Sequence, residues 1–249
     1  LYGNGEPYEA HFMVLDGKTA ICTEEGLTEG AYCPVCDEVI KEQEVIAMAP
    51  HDFHTVITKA RPKKDGKIEN KCMICGHIES VQEISYPSRI TTPQPRYVYT
   101  GKAIKPKFTL VFGGDMNIQG CEYKATFKNN TKIGEATITL NLSGLYYEGT
   151  LSKTFMIVPP ANTFKSLKSA SSRSATVTWK RNTLTAGTQI EYAYNKKFRD
   201  SKLITIYGNT KTSRVLKRLK AGSTVYVRIR GDKEVRGTTC YSDWSDTKT

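Results

Sequence analysis

The chain has 249 residues, 39% of them apolar and 24% charged, with a formal net charge of +11 and seven cysteines. This composition excludes a disordered segment, and no apolar run approaches the ~18 residues of a membrane-crossing helix. Charge is graded along the chain, net −6 over residues 1–90, +4 over 91–159 and +13 over 160–249, as expected of modules with different surfaces. The opening "LYGNGEPYEA" is not a basic-then-apolar leader, so the chain is expected to follow a removed signal peptide or to be cut from something longer.

The first ninety residues contain a repeat. Placing Gly26 over Gly66 also sets His11 over His51, with 15 residues from His to Gly in each case. Cys33 and Cys36 then fall one position from Cys72 and Cys75, so two copies of a unit about 40 residues long each end in C-x2-C. That spacing lets a tight turn aim both thiolates at one ion, and Zn2+ takes four such ligands tetrahedrally. The first expectation is one structural zinc site of Cys33, Cys36, Cys72 and Cys75, each pair on its own β-hairpin. A rival set is Cys22, Cys33, Cys36 and His51, which copy two cannot reproduce because Pro62 stands where copy one has Cys22. Disulfides and free or redox thiols remain open alternatives, although no thioredoxin-like βαβ pattern surrounds either pair. A closed four-ligand site would hold a small module together and perform no chemistry. His54 and His77 read as surface or satisfied residues.

Two proline-marked stretches, "YPSRITTPQPRY" (86–97) and "IVPPANTF" (157–164), read as joints between modules. After the first of them the pattern is nearly all strand. "ATITLNL" (136–142), "TFMIVP" (154–159), "SATVTWK" (174–180), "QIEYAYN" (189–195), "KLITIYG" (202–208) and "TVYVRIRG" (224–231) are short, alternating and rich in β-branched and aromatic residues. No helical stripe is sustained, so the expected class is all-β. Cys121 and Cys240 read as lone thiols, since all four histidines precede residue 78. There is no P-loop, no G-x-S-x-G and no framed carboxylate pair, and no enzyme activity is expected.

Residues 160–249 resemble a fibronectin type III module, on Trp179 in "VTWK", the run "LKAGSTVYVRIRG" (219–231) and "YSDWS" (241–245). The resemblance implies that Trp179 is the core tryptophan of the second strand, that Leu219 opens the turn before strand F, and that Val227 and Ile229 point inward. Six positions after the leucine, where the family carries a tyrosine that locks the corner, this chain has Val225. Residues 97–158 look like a bacterial immunoglobulin-like repeat, on "YTGKAIKP", "YKATFKNNTKIGEATITL" and "SKTFMI". The first module resembles the short Cys/His repeats strung before such domains in large secreted or wall-attached proteins of Gram-positive bacteria. Tandem β-sandwiches behind a small Cys-rich β-hairpin module are therefore expected, with boundaries at 1–89, 90–159 and 160–249.

Arg230-Gly231-Asp232 spells a tripeptide that integrins read on mobile loop tips. Alternation puts Arg228 and Arg230 outward on strand F and has Asp232 open the following loop, so the tripeptide is expected to be a coincidence. The outward cations Arg214, Lys217, Arg218, Arg228 and Arg230 are expected to lie on adjacent strands, either as a solvated face that discourages edge pairing, the favoured reading, or as a stripe for anionic glycan or wall polymer. Specific nucleic-acid binding is not expected, for want of any recognition signature. The resemblance implies an extracellular, non-catalytic spacer or presentation segment. Its alternatives are a polysaccharide-binding module and an accessory region of a secreted hydrolase.

Overall fold

A computed structural model describes residues 12–113 and 121–249. His11, the counterpart of His51 in the repeat, lies outside the described residues. Every regular element described is a strand, so the chain is all-β. No helix is long and apolar enough to cross a membrane among the described residues. The chain divides into two compact units, one running to Tyr86 and including Leu145–Tyr147, the other beginning at Pro87.

The first unit is built from β1 (Met13–Leu15), β2 (Gly26–Leu27), β3 (Gly30–Tyr32), β4 (Val39–Lys41), β5 (Val45–Ile46), β6 (Phe53–Thr58), β7 (Gly66–Cys72) and β8 (Ile78–Ile84). Strands β1-β3-β4 form one sheet, β6-β7-β8 another, and β2-β5 a small third. The two copies are built alike. Ile21 and Glu24 close a tight turn in copy one, and Arg61 and Lys64 close the same turn in copy two. A bulge interrupts β3·β4 between Ala31 and Tyr32, and one interrupts β7·β8 between Asn70 and Lys71. A Cβ on Gly26 would meet Lys18 O at 2.4 Å, and one on Gly66 would meet Thr58 O at 2.3 Å. Both glycines therefore let two backbones touch where no side chain fits. Buried apolar side chains are few here: Cys22, Ala60, Cys72, Ile84 and Tyr86 from residues 12–86, together with Tyr147. Such a small core supplies little hydrophobic stabilisation by itself.

The second unit opens with β9 (Pro87–Thr91), β10 (Arg96–Val98), β11 (Thr109–Phe112), β12 (Glu122–Lys128), β13 (Gly134–Ser143) and β14 (Gly149–Val158). The sheet order β10-β14-β13-β12 faces a β9-β11 pair, and β10 runs parallel to β14. Residues 86–97, expected as a joint, are thus mostly sheet. Pro87 is fully buried at the first position of a strand, where a residue with no N–H is tolerated. On β13 the buried residues alternate through Ala136, Ile138, Leu140 and Leu142, the period of a one-sided strand.

Next come β15 (Phe164–Ser171), β16 (Ser174–Trp179), β17 (Gly187–Ala193), β18 (Lys202–Tyr207), β19 (Ser213–Lys217), β20 (Tyr226–Val235) and β21 (Thr238–Tyr241). They form a sandwich of a β15-β16-β19 sheet and a β18-β17-β20-β21 sheet, a fibronectin type III-like arrangement. Trp179, Val177, Ile190, Leu216, Val227 and Ile229 meet in its core. The missing corner tyrosine is replaced by Tyr194, just past the end of β17, whose hydroxyl accepts the Lys220 N–H at 3.1 Å. Asp232 does not open a loop. β20 continues to Val235 and turns at Arg236-Gly237, both at positive φ (50° and 77°), before pairing with β21.

The stretch after β14 is packed. Asn162 is buried, its Nδ2 donating to Thr188 Oγ1 at 2.9 Å and its Oδ1 accepting from Asn182 Nδ2 at 3.0 Å. Arg96 of the immunoglobulin-like module pairs with Asp243 of the fibronectin-like one. The Cys240 thiol lies 3.8 Å from Met156 Sδ, and Gly134 leaves room for Val235. The Arg96–Asp243, Cys240–Met156 and Gly134–Val235 contacts join the two sandwiches, while those of Asn162 fasten the stretch after β14 to the fibronectin-like one.

Candidate metal centre

Four donors from both copies meet in the first unit. Cys22 sits in the tight turn of copy one, His51 just before β6, Cys72 at the end of β7, and Cys75 in the turn that follows. Their ligand atoms all lie within 4.8 Å of one another. Cys22 Sγ is 3.7 Å from Cys72 Sγ, and Cys75 Sγ is 3.4 Å from His51 Nδ1. A tetrahedral ion with metal–sulfur bonds near 2.3 Å and a metal–nitrogen bond near 2.0 Å requires edges of about 3.8 and about 3.6 Å. The donor set therefore fits a four-coordinate metal ion. Phe53 and His77 hold the His51 ring, with centroids at 5.3 and 5.0 Å.

The turn after β7 presents its thiols through backbone geometry. Cys72 N–H donates to His77 O, Gly76 N–H donates to Cys72 O, and Gly76 takes φ +79°. The Cys75 N–H, against the cost of burial and aided by His51 and the Ile74 N–H, holds the Cys72 thiol down to about 5. Cys22 is opposite in character, pushed up to about 11 by burial and by the facing thiols of Cys75 and Cys72. One donor is thus ready as thiolate, and the other gives up its proton only to a cation.

Neither four-residue set expected from spacing assembles. Cys72 and Cys75 come from the first expectation and Cys22 and His51 from the second, while Cys33 and Cys36 stand apart on the turn between β3 and β4. The cause is topological: the C-x2-C of copy two keeps the His of its own copy, and the fourth donor comes from the turn of copy one. His51 precedes Cys72 by 21 residues and His11 precedes Cys33 by 22, a regularity the sequence held in plain view. All seven cysteines are free thiols.

The five cations expected as one stripe are also divided. Arg214 and Lys217 lie on β19 and Arg218 just after it, in one sheet, while Arg228 and Arg230 lie on β20 in the other. Antiparallel β16·β19 pairing carries the first group to the opposite side of the sandwich. Arg228 and Arg230 are engaged in a stack. The Arg228 guanidinium lies 4.0 Å from the Phe198 ring centroid and 4.7 Å from Trp244, and Arg230 lies 4.4 Å from Trp244 and 3.9 Å from Tyr241. Arg228 Nε donates to Glu191 at 2.6 Å and Arg230 Nε to Gln189 at 2.9 Å. Ser242 and Ser245 flank the tryptophan, their hydroxyls accepting the N–H groups of Gly231 and Ile229. Sequence reading missed Phe198, Gln189 and Glu191 in this stack. The signal was two arginines two apart facing a tyrosine and a tryptophan three apart.

No family model matches this chain, and no curated protein matches it. Among solved structures, the two fibronectin type III domain segment from chicken tenascin aligns at 15% identity with a TM-score of 0.33, covering 80% of this chain and 97% of that one. The FN1–FN3 domains of chicken CNTN1 align at 13% identity with a TM-score of 0.31, covering 95% of this chain and 96% of that one.

Proposed function

We propose that the chain is a non-catalytic extracellular segment of a bacterial surface or secreted protein that spaces or presents other parts of it. The observation that carries this reading is the packed joint between the immunoglobulin-like and fibronectin-like sandwiches, with the Cys240 thiol against Met156 and Arg96 paired to Asp243. A flexible tether needs neither feature; a spacer of fixed geometry needs both. The first unit fits the same role as a zinc-built element. Three thiolates and one imidazole suit zinc, and four protein ligands leave no open position for a substrate. The division of the cations between two sheets, and the engagement of Arg228 and Arg230 in the aromatic stack, favour the spacer over polymer binding. The same engagement of Arg230 argues against integrin recognition. Binding of the whole chain to an array of sulfated glycans and anionic wall polymers, at low and at physiological salt, tests the reading. No saturable signal is expected at physiological salt; saturable, salt-sensitive binding would replace the spacer by a binding module.

A further inference from the structure

We propose that copy one carries a docking groove for an extended, tyrosine-bearing segment of a partner protein, added in parallel beside Ala20. The pattern for it is copy two, where the equivalent groove is filled. Leu145–Tyr147, in the connection between β13 and β14, belongs to the first unit, and Tyr147 pairs in parallel with Ala60. The Ala60 N–H donates to Tyr146 O at 2.9 Å. Ala60, Ile84 and Tyr147 are fully buried, and Tyr86 is buried beside them in the same unit. One extended segment thus supplies a backbone acceptor and an aromatic ring, the two components of recognition by strand addition.

The same frame recurs in copy one, left open among the described residues. A Cβ on Gly26 would meet Ala20 N at 2.5 Å, and one on Gly66 would meet Ala60 N at 2.5 Å. Gly26 pairs with Ile46 as Gly66 pairs with Ile84, so Ala20 stands for Ala60 and Ile46 for Ile84. Yet Ile46 is 41% exposed, and Met48, the counterpart of Tyr86 two positions on, is 55% exposed. Among the described residues no carbonyl accepts the Ala20 N–H. Ala20, Leu27, Ile46 and Ala47 line an open groove of about 550 Å3, with Lys18 and Glu29 also on its wall. The occupant follows from this frame. A strand in register with Ala20 takes up its N–H, and only a large ring on that strand covers Ile46 and Leu27 as Tyr147 is covered in copy two. The partner is a different polypeptide, because the chain has one such tip and it is committed to Ala60.

Amide NMR of the whole chain, titrated with a synthetic peptide of residues 143–149, tests the groove. Saturable shifts are expected at Ala20, Leu27 and Ile46, with Ala60 and Ile84 unmoved. The same peptide carrying Tyr147→Ala is expected to bind about tenfold more weakly, for loss of the buried ring. Ile46→Asp sets a charge in the groove at an exposed position and should abolish the shifts while resonances elsewhere stay in place. No shift at roughly millimolar peptide, where even a weak site loads, would overturn the groove, as would shifts confined to Ala60 and Ile84. Equal binding of the two peptides would overturn the tyrosine-bearing occupant. A concentration-dependent dimer in sedimentation, broken by Ile46→Asp, would give the groove to a second copy and overturn the partner. Should Ile46→Asp disturb the fold, the position of the shifts in the wild-type chain and the comparison of the two peptides decide.

Discussion

Gly231 shows how one residue fixes the meaning of a motif. A Cβ there would meet Thr185 Cγ2 at 2.4 Å and Asn162 Oδ1 at 2.8 Å, so the middle of the Arg-Gly-Asp triplet is wedged against the buried asparagine network. Gly231→Ala is expected to cost about 1–3 kcal/mol, read from urea unfolding, because the insertion overpacks a filled site. At the metal centre the two perturbed thiols pull the metal-free protein in opposite directions with pH. Cys72, lowered from 9.0 to about 5, contributes stability that is present above the unfolded value and lost as pH falls toward 5. Cys22, raised from 9.0 to about 11, contributes stability that is present below 9.0 and lost as pH rises through 11. Thermal unfolding of chelated protein should therefore show the first unit gaining stability from pH 5 toward 9 and losing it beyond. Zinc binding at pH 7 should release the Cys22 proton, measurable by calorimetry in buffers of different ionisation enthalpy.

Among elements, β20 carries the most. One face sends Val227 and Ile229 into the core, and the other holds Arg228 and Arg230 between aromatic rings. Trp244 touches both guanidiniums, so Trp244→Ala is expected to cost about 1–3 kcal/mol, the sum of two partly desolvated cation–π contacts and some packing. A double-mutant cycle with Arg228→Ala should return a coupling of about 0.5–1 kcal/mol; a coupling near zero would mean that the stack is only spatial proximity. The strand itself was legible because alternation is local: "TVYVRIRG" states which residues face in. The partners of its outward face were not, because Phe198 and Glu191 reach it through pairing across tens of residues. The same limit applies to the cysteines. The C-x2-C turns could be read from spacing, but the choice of Cys22 as fourth donor to Cys72 depends on which turn folds beside which. Likewise alternation put Arg214 and Lys217 on a strand, yet only the order of the sheets reveals that β19 pairs with β16 and not with β20.

At the scale of the whole molecule, the two units should respond differently to chelation. The first unit has a small apolar core and a four-donor centre, so a strong chelator is expected to lower the midpoint of its unfolding transition. The second, with its sandwich cores, should keep its midpoint, which differential scanning calorimetry with and without chelator would resolve. The parallel pairing of β10 with β14 has a mechanical consequence as well. Arg96 lies beside Met156 and Val98 beside Val158, so the entering and leaving strands of the immunoglobulin-like module run side by side in the same direction. Tension applied between the ends of that module slides one strand along the other and loads all their hydrogen bonds together. In an antiparallel hairpin pulled from its open end, the bonds break one at a time. β9 can peel from β11 first, yet the module then resists as a clamp, well suited to holding its length when the protein is pulled.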